Sequence, residues 1–375
     1  MMVTRSLRKG GARMFGLYLH VPYCASKCYY CDFYSAACKG GVPDAYVDAL
    51  VREMRRFASH RGTARLGPDT LYFGGGTPSL LTPAQVDRLI REARPAPGAE
   101  ITLEANPETV CLQGLKDYLA AGVDRISFGV QTAFDDSLRR LGRRHTANTA
   151  RRALAMAGEA GFDNISGDVM LALPGYSLEE LDATLALLAQ GGCTHISSYL
   201  LKIEDGTVFA RRPPDGLPDE DAAADFYLSA VERLASLGYR QYEISNFARP
   251  GFESRHNTLY WQCEDYLGLG PAAASCLDGR RFFTPRGTAA FLEKPAVYQP
   301  DGACTSEDFV MLRLRLTDGL SLAELESRWG VRWDGAKLRF CRLLQENGLA
   351  RFDGQRLSLT PRGFLLQNSI LCELI

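Results

Sequence analysis

The sequence predicts an α/β fold in which repeated βα units build a parallel sheet, followed by a smaller α+β domain. Three observations carry this expectation. Short apolar runs rich in β-branched residues recur at 15–20, 70–73, 100–104, 125–128, 165–170 and 195–200. Segments with apolar residues at helical spacing separate them, so each strand is expected to run in the same direction as the one before. Near 295–302, proline and glycine mark a boundary, and a helix-rich tail follows. Periodicity alone leaves open whether the strands form a flat sheet or an open barrel.

The basic stretch from Arg5 to Arg13 has no apolar run behind it, so residues 1–14 are expected to be disordered, with Met14 a candidate start. The first strand, 15–20, leads directly into a loop carrying Cys24, Cys28 and Cys31. Three thiolates this close suit a metal centre. A tetrahedral zinc site would need a fourth ligand, Cys38 or His20, and the bacterial ferredoxin spacing is absent. The C-x3-C-x2-C spacing instead suits a [4Fe-4S] cluster with one iron left open.

The second strand ends in Gly74-Gly75-Gly76-Thr77-Pro78, where missing side chains let backbone amides approach a ligand. Thr82, Pro83 and Gln85 then read as the N-cap, first turn and capping-box partner of a helix. The third strand ends at Glu104-Ala105-Asn106-Pro107, the fourth at Gln131, and the fifth carries Asp168. Each places a polar group where parallel α/β barrels assemble their sites, at the carboxyl ends of the strands. Individually these residues also read as a turn, a solvated helix face or a strand-end cap.

Composition narrows the function classes. A formal net charge of −1 and 23% charged residues argue against a dedicated nucleic-acid binder. Eleven cysteines with no secretory segment argue against a disulfide framework and for a reducing cytoplasm. No apolar run reaches the ~20 residues that cross a bilayer.

The cysteine loop resembles that of the radical S-adenosylmethionine superfamily. Together with Leu138 to His145, the strand-end strings resemble its oxygen-independent coproporphyrinogen III dehydrogenase-like branch over about residues 15 to 375. The resemblance implies a partial (β/α)6 barrel of the triosephosphate-isomerase type over 15–295, with a winged-helix-like domain at 300–375 capping the barrel mouth. It implies a [4Fe-4S] cluster on Cys24, Cys28 and Cys31, with S-adenosyl-L-methionine on the open iron. The positions matching the family's S-adenosylmethionine contacts are Tyr18, Gly75, Gly76, Thr77, Glu104, Gln131, Arg143 and Asp168.

Within the branch, the dehydrogenases carry a fourth cysteine where this chain has Phe33, and a long amino-terminal extension where 17 residues precede Tyr18. Both features favour the shorter paralogues, which carry heme to acceptor proteins. His256-Asn257-Thr258-Leu259-Tyr260-Trp261 matches their H-N-x-x-Y-W signature, and an imidazole among aromatic rings suits heme. His256 is therefore the candidate heme contact, against the alternative of a structurally hydrogen-bonded histidine. The implied partners are heme, a heme-acceptor protein that includes transient membrane-associated ones, and a second copy of the chain. The alternative activity is radical dehydrogenation of coproporphyrinogen III.

Helical patterns at 306–316, 322–329 and 334–346, then strand-like runs at 349–352 and 356–359, make up the tail. Its winged-helix pattern lacks a dense basic stripe, so nucleic-acid binding is not expected.

Overall fold

The computed structural model describes residues 14–60, 62–63 and 65–375. The segment expected to be disordered therefore lies, apart from Met14, outside the described residues. Six strands, β1 (Phe15–Val21), β2 (Thr70–Gly75), β3 (Glu100–Ala105), β4 (Arg125–Gln131), β5 (Asn164–Leu171) and β6 (His195–Leu200), pair in parallel and in sequence order. β1 to β4 are buried almost throughout, as strands covered on both faces must be. The sheet curls enough that Glu104 on β3 and Asp168 on β5, two strands apart, feel each other's charge across a common interior.

Helices α1 (Asp44–His60), α2 (Pro83–Ala93), α3 (Leu112–Ala121), α4 (Ala147–Ala160) and α5 (Leu178–Gln190) connect the strands. The buried residues of α1 include Tyr46, Val47, Leu50, Val51 and Met54, one apolar face turned to the sheet. Thr82 and Gln85 form the expected capping box on α2, after one 3₁₀ turn, Pro78–Leu80, that separates this helix from the glycine loop. Such a cap contributes ~1 kcal/mol.

Residues 240–303 hold six strands that the sequence analysis did not separate. After α6 (Glu220–Ser236), β7 (Arg240–Glu243) and β8 (Asn246–Ala248) extend the sheet antiparallel beyond β6. Helix α7 (Arg255–Trp261) then leads to the opposite edge, where β9 (Asp265–Leu269) pairs in parallel with β1. β10 (Ala274–Leu277), β11 (Arg280–Phe283) and β12 (Gln299–Ala303) complete that edge as an antiparallel meander. The result is one twelve-stranded sheet in the order β12-β11-β10-β9-β1-β2-β3-β4-β5-β6-β8-β7.

The carboxyl-terminal domain comprises α8 (Ser306–Arg313), β13 (Leu320–Ser321), α9 (Leu322–Trp329), α10 (Gly335–Glu346), β14 (Ala350–Phe352), β15 (Arg356–Leu359), α11 (Pro361–Leu365) and α12 (Gln367–Leu374). The predicted helices and hairpin are present, and β13 joins the hairpin in a small sheet of order β13-β15-β14. Arg315 anchors the domain, pairing with Glu243 at 3.2 Å and stacking 4.2 Å over Trp261. Arg328 reaches the carbonyls of Gln262 and Cys263, each at 3.3 Å. The domain is thus anchored to the barrel through β7 and the end of α7. Among the described residues, no helix is long and apolar enough to cross a membrane.

Candidate cluster and cofactor site at the barrel mouth

The cysteine loop is fixed at both ends. Tyr23–Cys24 pairs in parallel with Ala36–Ala37, and Cys38 N–H donates to the Cys24 carbonyl at 2.7 Å. His20 spans the loop from below, with Nδ1 3.0 Å from the Tyr18 hydroxyl and Nε2 2.8 Å from the Tyr34 carbonyl. The loop's middle is tied to the barrel by Tyr29, whose N–H donates to the Leu141 carbonyl and whose carbonyl accepts from Phe209 N–H, both at 3.0 Å. Cys24 is buried, while Cys28 and Cys31 are half-buried.

Among the described residues, no three His, Cys, Asp or Glu side chains converge as ligands of one ion. A cubane cluster needs no such convergence, since each thiolate takes its own iron, and the loop's donor set fits it. His20, the alternative fourth ligand for zinc, already has both ring nitrogens engaged. Burial pushes the Cys31 thiol up to about 11, so a thiolate there requires a cation beside it.

The glycine loop is strapped to the cysteine loop: Gly76 N–H donates to the Val21 carbonyl and Thr77 N–H to the Tyr23 carbonyl, both at 2.8 Å. A Cβ on Gly76 would stand 2.7 Å from the Tyr23 oxygen and 3.0 Å from Cys24 Sγ. Gly75, at φ +115°, presents its N–H to Glu104 Oε2 at 3.1 Å.

Glu104 also accepts from the Tyr72 hydroxyl at 2.8 Å, and Tyr72 stacks on Tyr18 with centroids 6.0 Å apart. Burial raises the Glu104 carboxyl to about 7, against the hydrogen bonds from Tyr72 and Gly75. It likewise raises Asp168 to about 6, against Ser197, Arg125 and Arg143. Both carboxyls therefore sit near the boundary between charged and neutral at physiological pH.

Arg143 faces Cys28, with Nη1 3.6 Å from its sulfur, and its other terminal nitrogen donates to Asn106 Oδ1 at 2.8 Å and to the Gly129 carbonyl. Its Nε is buried without a partner. Gln131 at φ +70° and Ala172 at φ +57° mark the ends of neighbouring strands β4 and β5 with left-handed backbone, a strain that clusters at functional sites. The Gln131 turn is held by His145, whose Nε2 lies 3.1 Å from the Val130 carbonyl.

Tyr18, Gly75, Gly76, Thr77, Glu104, Gln131, Arg143 and Asp168 thus all come from strands β1 to β5 or the loops at their carboxyl ends, together with the cysteines. Phe33 lies on the rim, 62% exposed. His256 lies one layer below them, its ring stacked on Tyr72 with centroids 5.0 Å apart and 6.4 Å from that of Tyr18. It begins α7 beneath the amino ends of the strands, where its N–H donates to Glu100 Oε1, Nδ1 meets Thr70 Oγ1 at 2.7 Å and Nε2 meets the Tyr260 hydroxyl at 2.7 Å. The ring is 1% exposed, and burial drops it to about 3. An axial bond to heme iron would require breaking one of these hydrogen bonds and exposing the ring.

Sequence reasoning gave Asn106 no role beyond its strand-end string, though it links Thr77 to Arg143, and it missed Arg125, a 2% exposed cation opening β4 whose charge favours the ionised forms of Glu104 and Asp168. An arginine among apolar strand residues was the available signal for Arg125.

The Radical SAM superfamily profile matches residues 18–188, and the HemN C-terminal domain profile matches 306–366. A protein named heme chaperone HemW from Escherichia coli K12 is 37% identical over 372 residues, covering 95% of this chain and 96% of the relative. A second so named, from Bacillus subtilis, is 34% identical and covers 95% and 98%. This chain belongs to the HemW family. The solved structure of coproporphyrinogen III oxidase (HemN) from Escherichia coli, described as a radical SAM enzyme, superimposes with a TM-score of 0.82 at 24% identity. It covers 96% of this chain and 90% of its own, so this chain shares that fold: a partial barrel with its carboxyl-terminal domain.

Proposed function

We propose that this HemW family member is a heme carrier that binds heme and hands it to an acceptor protein. We further propose that it holds a [4Fe-4S] cluster on Cys24, Cys28 and Cys31, with S-adenosylmethionine on the open iron. The observation that carries this reading is 34–37% identity along 95% of the chain to proteins named as heme chaperones. When bound, the cluster supplies one electron to the sulfonium of S-adenosylmethionine. In this chain, Arg143 offsets the thiolate charge, the glycine loop leaves room beside Cys24 because it carries no side chain at Gly76, and Glu104 and Asp168 offer carboxylate acceptors across the mouth.

We place heme on the exposed apolar rim, where Phe33, Tyr199 and Leu200 are 62%, 42% and 37% exposed. Flat rings at a mouth suit a flat macrocycle, whereas His256 offers no free nitrogen. The test is hemin titration into anaerobically reconstituted protein, followed by the heme absorbance band. Stoichiometric binding weakened about tenfold in Phe33→Ser and Tyr199→Ser, but retained in a folded His256→Gln variant, supports the carrier and its rim. The reverse pattern moves heme to His256. Absence of specific binding, with turnover of coproporphyrinogen III, supports the dehydrogenase instead.

A further inference from the structure

Away from the mouth, the sulfurs of Cys276 and Cys304 stand 3.1 Å apart. Cys276 lies on β10 and is 8% exposed; Cys304 follows β12, is half-buried, and immediately precedes Thr305, the N-cap of α8. The approach is built by the meander. β11 pairs with both β10 and β12, and Cys304 N–H donates to the Gly279 carbonyl at 2.8 Å. Arg281 pairs with Asp308 of α8, holding the first helix of the carboxyl-terminal domain against the same hairpin. Neither thiol belongs to the cysteine loop or to the heme rim.

We propose that Cys276 and Cys304 form a thiol–disulfide exchange site that reacts with small-molecule disulfides of the glutathione class. Its oxidised form ties the sheet edge to the start of the carboxyl-terminal domain. The Cys304 thiol, the more accessible of the two, loses its proton and attacks one sulfur of the small disulfide. That S–S bond breaks, one thiolate leaves, and Cys304 carries a mixed disulfide. The Cys276 sulfur, on losing its proton, attacks Cys304 Sγ and expels the second small thiolate. The two protein thiols together give up two electrons and two protons, and the small disulfide becomes two thiols. A contact of 3.1 Å needs to shorten by only ~1 Å to reach the ~2.05 Å of an S–S bond.

The experiment uses the anaerobically reconstituted full-length protein, treated with glutathione disulfide, trapped with N-ethylmaleimide and digested with trypsin without reduction. Residues 256–280 form one tryptic peptide carrying both Cys263 and Cys276, and residues 287–313 form another carrying Cys304. The expected product is a cross-link between these peptides, assigned to Cys276 by fragmentation, reversed by dithiothreitol, retained in Cys263→Ser and absent in Cys304→Ser. In urea the specific cross-link should give way to mixed products. The proposal is overturned if both thiols are alkylated without a cross-link, if Cys304 stops at a stable mixed disulfide, or if the bond goes to Cys263. The wild-type map alone decides this, whether or not the serine variants fold.

Discussion

Arg143 aims its guanidinium at Cys28, Nη1 to Sγ 3.6 Å, while Asn106 Oδ1 and the Gly129 carbonyl hold the other terminal nitrogen. A cation so fixed lies where thiolates and a bound carboxylate would accumulate negative charge. Arg143→Met should weaken S-adenosylmethionine binding by at least tenfold, the scale of losing one charge-assisted hydrogen bond, ~1.5–3 kcal/mol. Titration calorimetry on the cluster-loaded protein measures it, and unchanged affinity would mean that the guanidinium serves the loop alone.

Cys28→Ala should remove the brown four-iron absorbance and leave a folded chain, because the half-buried thiol carries little of the hydrophobic core. Iron and sulfide analysis with far-UV circular dichroism reads both outcomes. A full cluster spectrum in the variant would sink the three-cysteine assignment.

At Gly76 the added methyl of alanine would press on two carbonyls and on Cys24 Sγ. The expected cost is ~1–3 kcal/mol of stability together with reduced cluster occupancy, since the two loops must separate. Denaturant melts and iron content of Gly76→Ala are the measurements; normal values for both would show that the loops adjust freely.

His256 predicts a pH dependence. Its folded value of about 3 lies below the unfolded value near 6.5, so the unfolded chain takes up the proton first. Its contribution to stability is therefore constant above pH 6.5 and falls by ~1.4 kcal/mol per pH unit between 6.5 and 3. His256→Gln should flatten the urea-midpoint profile of the cluster-free protein by about one proton over pH 6 to 5. At pH 7 it should cost ~1–3 kcal/mol by disturbing the partners Thr70 and Tyr260. A profile with unchanged slope would rule out a buried neutral ring.

The six barrel strands were legible because strands covered on both faces read as apolar runs, and Thr82 with Gln85 announced α2 without ambiguity. Strands β7 to β12 were not: each has three to five residues, and several alternate polar with apolar positions too briefly to establish a period. The mouth was legible because its chemistry lies at strand ends. The barrel floor was not. Nothing local to His256 shows that Glu100, Thr70 and Tyr260 will enclose it, since these partners come from separate parts of the fold. The role of Asn106 was hidden likewise, its partners Thr77 and Arg143 lying 29 and 37 positions away.

The parallel pairing of Phe15 with Asp265 has a consequence for synthesis. At ~5–20 residues per second, the ribosome needs roughly 12 to 50 s after making Phe15 before β9 exists. Until then β1 can pair only on its β2 side, and an apolar strand leading straight into the cysteine loop keeps one edge open. Such an edge is a template for joining other chains. Nascent chains stalled before residue 265 should thus need chaperone protection, and truncation there should yield aggregate rather than a smaller barrel.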